Sequence, residues 1–348
     1  MGPAKTRAPG PRRAAFLVWL AFLAFGLPEV TAGTSPLWLT SAGAWILTIP
    51  LYFLHFLFLV QVALITRRRS WPALYLLGVV FGLYETWITK VVWAGYPGGD
   101  GMSLGGIGPA GAPWFGLHES LGLVLFYHPV LSFLLPLAVL TRLLPDWGRA
   151  FPAPDWVFGT GRRAVARRLG LLAVLAPVTA ANDPVPPVYL ATWLPLVALL
   201  WPGWLALARS GIAGSAASRP RVGRAGLAAL VLGLGVVYAL TFGTLRPEAI
   251  PPMAVRLGTA ALYPVLALML WRTRPTPDPA PAPIARPGAL PLRWFLGLFV
   301  AGLGLDLAAA GGIDLSGMLA PFAFLAMMPL GAGLFVWLGL WRGLIRRG

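Results

Sequence analysis

The chain has 348 residues, of which 58% are apolar and 11% charged, with a formal net charge of +16 and no cysteine. Soluble domains carry roughly 25% charged residues, so a mean hydropathy of +0.76 leaves too little polar surface to coat a soluble globule. Disulfides, thiolate metal ligands and cysteine nucleophiles are excluded outright.

A bilayer crossing needs about 20 mostly apolar residues. Ten stretches qualify as candidates: 14–32, 38–66, 71–95, 119–141, 169–182, 187–208, 225–243, 252–271, 294–310 and 319–341. The first resembles a secretory signal, with a basic start and Val30-Thr31-Ala32 as a possible cleavage site; it is expected to stay as a signal anchor. The fifth is short and holds Pro177, which leaves a re-entrant segment open as an alternative. Trp38, Trp71, Trp93, Trp271, Trp294 and Trp341 stand at span ends, where an indole can sit half wet. Gly235, Ala239 and Gly243 put small residues on one face of the seventh span, a pattern that suits close helix packing.

Arginine clusters alternate along this series. They precede the first span and follow the second, fourth, sixth, eighth and tenth, with Lys90, Arg246 and Arg256 as the exceptions. By the positive-inside rule both termini are cytoplasmic. The positive charge is then a record of topology, and no nucleic-acid partner is expected. The expected fold is all-α, a polytopic integral membrane bundle of about ten transmembrane helices in the cell membrane. Alternating prolines from Arg274 to Pro283, continuing to Pro291, favour an extended polyproline conformation. They divide the chain into a membrane domain of about eight spans (1–272), a cytoplasmic linker (273–292) and a C-terminal two-span hairpin (293–348).

No catalytic signature survives inspection. Gly106-Ile-Gly108-Pro-Ala-Gly111 spells a dinucleotide fingerprint, but it lies in a glycine-rich outer loop, without the strand-to-helix turn that holds a pyrophosphate. The ionisable residues inside the spans are more informative. Glu29 is 16 residues beyond Arg13, Glu85 is 16 beyond Arg69, and Asp306 is 13 beyond Arg293. His55 is 12 residues before Arg67, and His128 is 14 before Arg142. At about 1.5 Å per helical residue these five lie about 18–24 Å from the inner anchors, close to the middle of the bilayer. Charge at that depth costs at least about 2.5–3.5 kcal/mol, so such residues face cavities or one another and mark functional paths by default.

Glu85 carries the strongest expectation. It shares a helical face with Thr89, while Lys90 points away from it, so its partner must come from another helix. His128 precedes Pro129, which bends its helix and frees a carbonyl. His55 and His128 could serve as axial haem ligands by depth and direction, but three histidines without an attachment motif leave the expectation at no cofactor and no metal. Two function classes fit. The first is a transporter or permease with a polar midplane site of Glu85, Thr89, His128, His55 and Asp306 under an acidic outer vestibule, moving a small solute or ion. The alternative is a membrane-embedded enzyme acting at the outer face on a lipid-linked or exported substrate, with His118, Glu119 and Lys90 as its working groups. A non-catalytic membrane subunit is a third, blander possibility.

Overall fold

A computed structural model describes residues 10–88, 106–107, 115–183, 185–213, 215–243, 253–277 and 290–345. Helices are numbered here in chain order. They are α1 (Pro11–Phe25, running on as a wide π turn, Gly26–Val30), α2 (Ile49–Ile65, preceded by a π turn, Ala44–Thr48) and α3 (Trp71–Ile88). Next come α4 (Glu119–Leu134, continuing as Leu135–Leu143) and two short helices, α5 (Pro145–Ala150) and α6 (Asp155–Phe158). The series ends with α7 (Arg162–Asn182), α8 (Pro186–Arg209), α9 (Arg224–Gly243), α10 (Met253–Arg272), α11 (Leu290–Ala310) and α12 (Leu315–Leu334, continuing as Phe335–Ile345).

Among the described residues nine helices are long and apolar enough to cross a membrane, and α3 adds a shorter apolar helix. A two-residue antiparallel pairing, Gly106–Ile107 with Phe115–Gly116, is the sole strand pairing among them. The protein is an all-helical membrane bundle. The fifth expected span lies in a continuous 21-residue helix that passes through Pro177 and is long and apolar enough to cross a membrane.

Burial marks the centre of the bundle. The α4 span is 94% buried, against 22% for the α9, α10 and α12 spans. Helix α4 is therefore the axis of the bundle, with α3 and α12 packed along it and α2 touching both α3 and α4. A fully buried helix carrying His128 and Pro129 is where the interior polar chemistry must concentrate. The α12 helix lies against α4 and α7, and α11 against α7 and α8.

The arginine-rich connections converge at one end. Arg13 donates to the Ala217 and Arg219 carbonyls, and Trp147 to that of Ser218. Arg68 donates to the Trp271 carbonyl at the end of α10 and lies over the Trp271 ring, while Arg69 reaches Ala150, Thr276 and Pro277. Guanidinium groups at helix C-termini satisfy carbonyls that have no partner within the helix. The tryptophan expectation divides here. Trp271 and Trp341 are exposed as interfacial indoles should be, but Trp38 is wholly buried and donates to the Thr192 carbonyl at 2.9 Å. Trp294 is also buried, its indole donating to the Arg168 carbonyl. An indole whose N–H has a protein acceptor needs no water.

Candidate functional site

The site begins with two glycines and a proline. Gly78 and Gly82 are one helical turn apart on α3 and face α4. A Cβ placed on Gly78 would stand 2.6 Å from Pro129 Cα, and one on Gly82 would stand 3.0 Å from both the Val124 carbonyl oxygen and His128 Cβ. Only hydrogen fits at either position, so the two backbones meet as small-xxx-small interfaces allow. The Tyr75 hydroxyl of α3 donates to the Leu125 carbonyl of α4 at 2.7 Å, which adds a polar tie to the close packing. Glu85 stands seven residues beyond Gly78 on the same face, and this close packing delivers it to His128.

Glu85 Oε2 lies 2.8 Å from His128 Nε2, and His128 Nδ1 lies 3.1 Å from the Ser132 hydroxyl. The partner that Glu85 requires from another helix is therefore His128. The geometry accommodates both charge states of the ring. Neutral His128 donates from Nε2 to Glu85 and accepts from the Ser132 O–H at Nδ1. Protonated His128 donates from both nitrogens, needing only rotation of the Ser132 hydroxyl.

A second carboxylate adjoins this pair. Glu29, on the π turn that contains Pro28, accepts at Oε2 from Thr34 (2.8 Å) and Ser35 (2.6 Å). Glu29 interacts electrostatically with Glu85, and both act on the buried Tyr52 of α2. Tyr127 donates to the Pro28 carbonyl, fastening this turn to α4. Two carboxylates, a phenol and an imidazole thus share the centre of the bundle.

His55 belongs to a neighbouring cluster. Its Nδ1 lies 2.8 Å from the Leu51 carbonyl, which must accept, so Nε2 is the acceptor for the Tyr238 hydroxyl at 2.6 Å. The Tyr84 ring stacks over that of Tyr238, 4.0 Å between centroids. Phe81 touches both imidazoles, at 4.8 Å from His55 and 5.7 Å from His128. All four ring nitrogens of the two histidines are engaged, so neither offers iron a lone pair in this arrangement. No group of three or more His, Asp or Glu side chains that could hold a metal ion occurs among the described residues.

Asp306 does not join the central cluster. It is buried on α11 and faces Asp183 at the end of α7. His118 and Glu119 are buried at the start of α4, where His118 packs edge-on against Phe324 of α12. Thr89 and Lys90 lie outside the described residues. The expected polar layer is therefore two separate places, one around Glu85 and one around Asp306. Tyr52, Ser132, Thr34 and Ser35 went unremarked in the sequence, where hydroxyls inside apolar helices give no signal until their neighbours are known.

The model of a family described as "Uncharacterized membrane protein family" matches residues 17–345, nearly the whole chain. The chain belongs to that family. An uncharacterized protein of Archaeoglobus fulgidus is 32% identical over 191 residues, which is 54% of this chain and 58% of the relative. The match thus spans little more than half the length of that curated relative. No solved structure matches.

Proposed function

We propose that this protein is a proton-coupled transporter or permease of the cell membrane, with its arginine-rich end in the cytoplasm and Glu85, His128 and Glu29 as its coupling groups. The observation that carries this reading is the Glu85–His128 pair at 2.8 Å, buried between α3 and the axial helix α4, with Glu85 electrostatically joined to a second carboxylate. Carboxylates and an imidazole gathered inside a membrane bundle are groups of the kind that relay protons in pumps and transporters. The Ser132 hydroxyl accepts either state of the ring without movement of heavy atoms. The π turns at Glu29 and His128 and the bend at Pro129 supply the irregular backbone that transporters place around central binding sites.

The enzyme alternative has less support. His118 and Glu119 are both buried, α12 packs against His118, and no contact between these two and a third working group occurs among the described residues.

Reconstitution tests the proposal. Vesicles loaded with a pH-sensitive dye and given a negative-inside potassium diffusion potential are exposed to a panel of alkali cations, amino acids, sugars and organic acids. The proposal requires at least one of these to drive internal acidification in the wild type, with loss of that response in Glu85→Gln. Absence of any solute-dependent proton movement across the panel counts against transport.

A further inference from the structure

A second polar site lies between α7 and α11. These helices run parallel: the Trp294 indole donates to the Arg168 carbonyl, and further along Gly302 meets Thr179. A Cβ on Gly302 would stand 2.9 Å from Thr179 Cγ2 and would collide with the Tyr189 hydroxyl, so the two helices are tightly packed here. One helical turn beyond each member of that contact stand Asp183 and Asp306. Thr179 and Gly302 are 123 residues apart in sequence, as are Asp183 and Asp306. The parallel register therefore brings the two carboxyl groups to the same level, and Asp183 feels the charge of Asp306.

The two acids are 1% and 0% exposed, and none of their four carboxyl oxygens has a hydrogen-bond partner among the described residues. Other polar groups nearby are already committed. Thr179 donates to the Val30 carbonyl, Asn182 to that of Ala32, and Tyr189 to that of Phe299. The C-terminus of α7, with its partial negative charge, ends at Asp183. Buried unpaired carboxylates are among the most costly groups a fold can hold, and something must neutralise them.

A proton shared between the acids would serve two oxygens and leave two unserved. A hard cation takes carboxylate oxygens at about 2.3–2.6 Å, one or two from each acid, and completes its shell with carbonyls or water. Charge chooses the valence, because two carboxylates and one divalent ion are neutral together. We infer that Asp183 and Asp306 form a binding site for a hard divalent cation of the calcium type, separate from the Glu85–His128 pair. The inference does not depend on whether the protein transports anything.

The test uses the full chain in detergent or lipid nanodiscs, stripped with chelator and titrated with CaCl2, with choline chloride at matched ionic strength as control. The expected result is a saturable rise in thermal stability of several degrees with Ca2+, absent with choline. In Asp183→Asn and Asp306→Asn the half-saturating concentration should rise at least tenfold, while Glu85→Gln leaves it in place. Terbium luminescence on the wild type is a reading independent of variant folding. Emission sensitised by the adjacent Tyr189 should be displaced by Ca2+. The inference is overturned by a Ca2+ response that is absent or unchanged in both Asn variants. It also falls if terbium emission is not displaced by Ca2+, or if stability follows pH alone.

Discussion

Separating Glu85 from His128 is the sharpest probe of the interior. The carboxylate oxygen and the imidazole nitrogen are 2.8 Å apart, and both side chains are largely buried. Unit charges about 4 Å apart attract by about 4 kcal/mol at an effective dielectric of 20, and part of that is returned as desolvation. A coupling energy of about 1–3 kcal/mol is therefore expected from a double-mutant cycle. Glu85→Gln keeps a carbonyl oxygen for the His128 Nε2–H and should cost only about 1 kcal/mol. His128→Ala removes the imidazole that pairs with Glu85 and should cost about 1–3 kcal/mol. Denaturant unfolding in micelles, followed by tryptophan emission, measures all four corners of the cycle. Strict additivity, with coupling below about 0.5 kcal/mol, would refute a functional pair and leave the 2.8 Å approach as mere packing.

Three further outcomes follow from the same contacts. Gly78→Ala drives a methyl against Pro129 backbone that cannot yield, so it should cost about 1–3 kcal/mol and impair the Glu85 site, whereas Gly235→Ala, with nothing within 4 Å, should be neutral or stabilising in the same melt. Tyr75→Phe removes the donor to the Leu125 carbonyl and should lower stability by about 1 kcal/mol; an unchanged midpoint would mean that carbonyl finds another donor. Asp183 is raised to about 6, first by burial and then by the Asp306 charge. Its folded value exceeds its unfolded one, so in chelator the wild type should lose stability as pH rises from about 4 through 6. Asp183→Asn should remove that part of the slope, about 1–2 kcal/mol between pH 5 and pH 8, and parallel melting curves for the two proteins would contradict it.

Much of this architecture was legible in the chain. Apolar length set the helices, and counting residues from each inner arginine gave Glu29, Glu85 and His128 a common depth, the height at which they meet. Which helices touch was not legible, because hydropathy describes how each helix meets lipid and says nothing of its neighbour. The clue to the α3–α4 contact was nevertheless present as Gly78-Val-Val-Phe-Gly82, with Glu85 on the same face. The pattern at Gly235 looked equivalent, yet a Cβ at Gly235 meets nothing within 4 Å. Small residues permit close approach but do not require it, and only a partner such as Pro129 turns permission into contact. Asp306 was misgrouped for a related reason. Its depth matched that of Glu85, but its helix packs on α7 and α8.

The interior acids differ in their donors more than in their depth, and that difference says where a ligand is needed. Glu85 has an imidazole, and Glu29 has the Thr34 and Ser35 hydroxyls, so both can be ionised or neutral without leaving a polar group unserved. Asp183 and Asp306 have no hydrogen-bonding donor among the described residues. A fold under pressure only for stability would replace such residues, since apolar substitutes of similar volume are often neutral or better even for buried pairs that are well matched. Keeping two unserved carboxylates at the same level is sensible only where something else completes them. The segment between the two places is shared: Glu29 turns towards Tyr52 and Glu85, while the carbonyls of Val30 and Ala32 hold Thr179 and Asn182 of α7. The end of α1 is thus built into both sites, and its sequence, Pro28-Glu-Val-Thr-Ala-Gly33, has to satisfy the geometry of each.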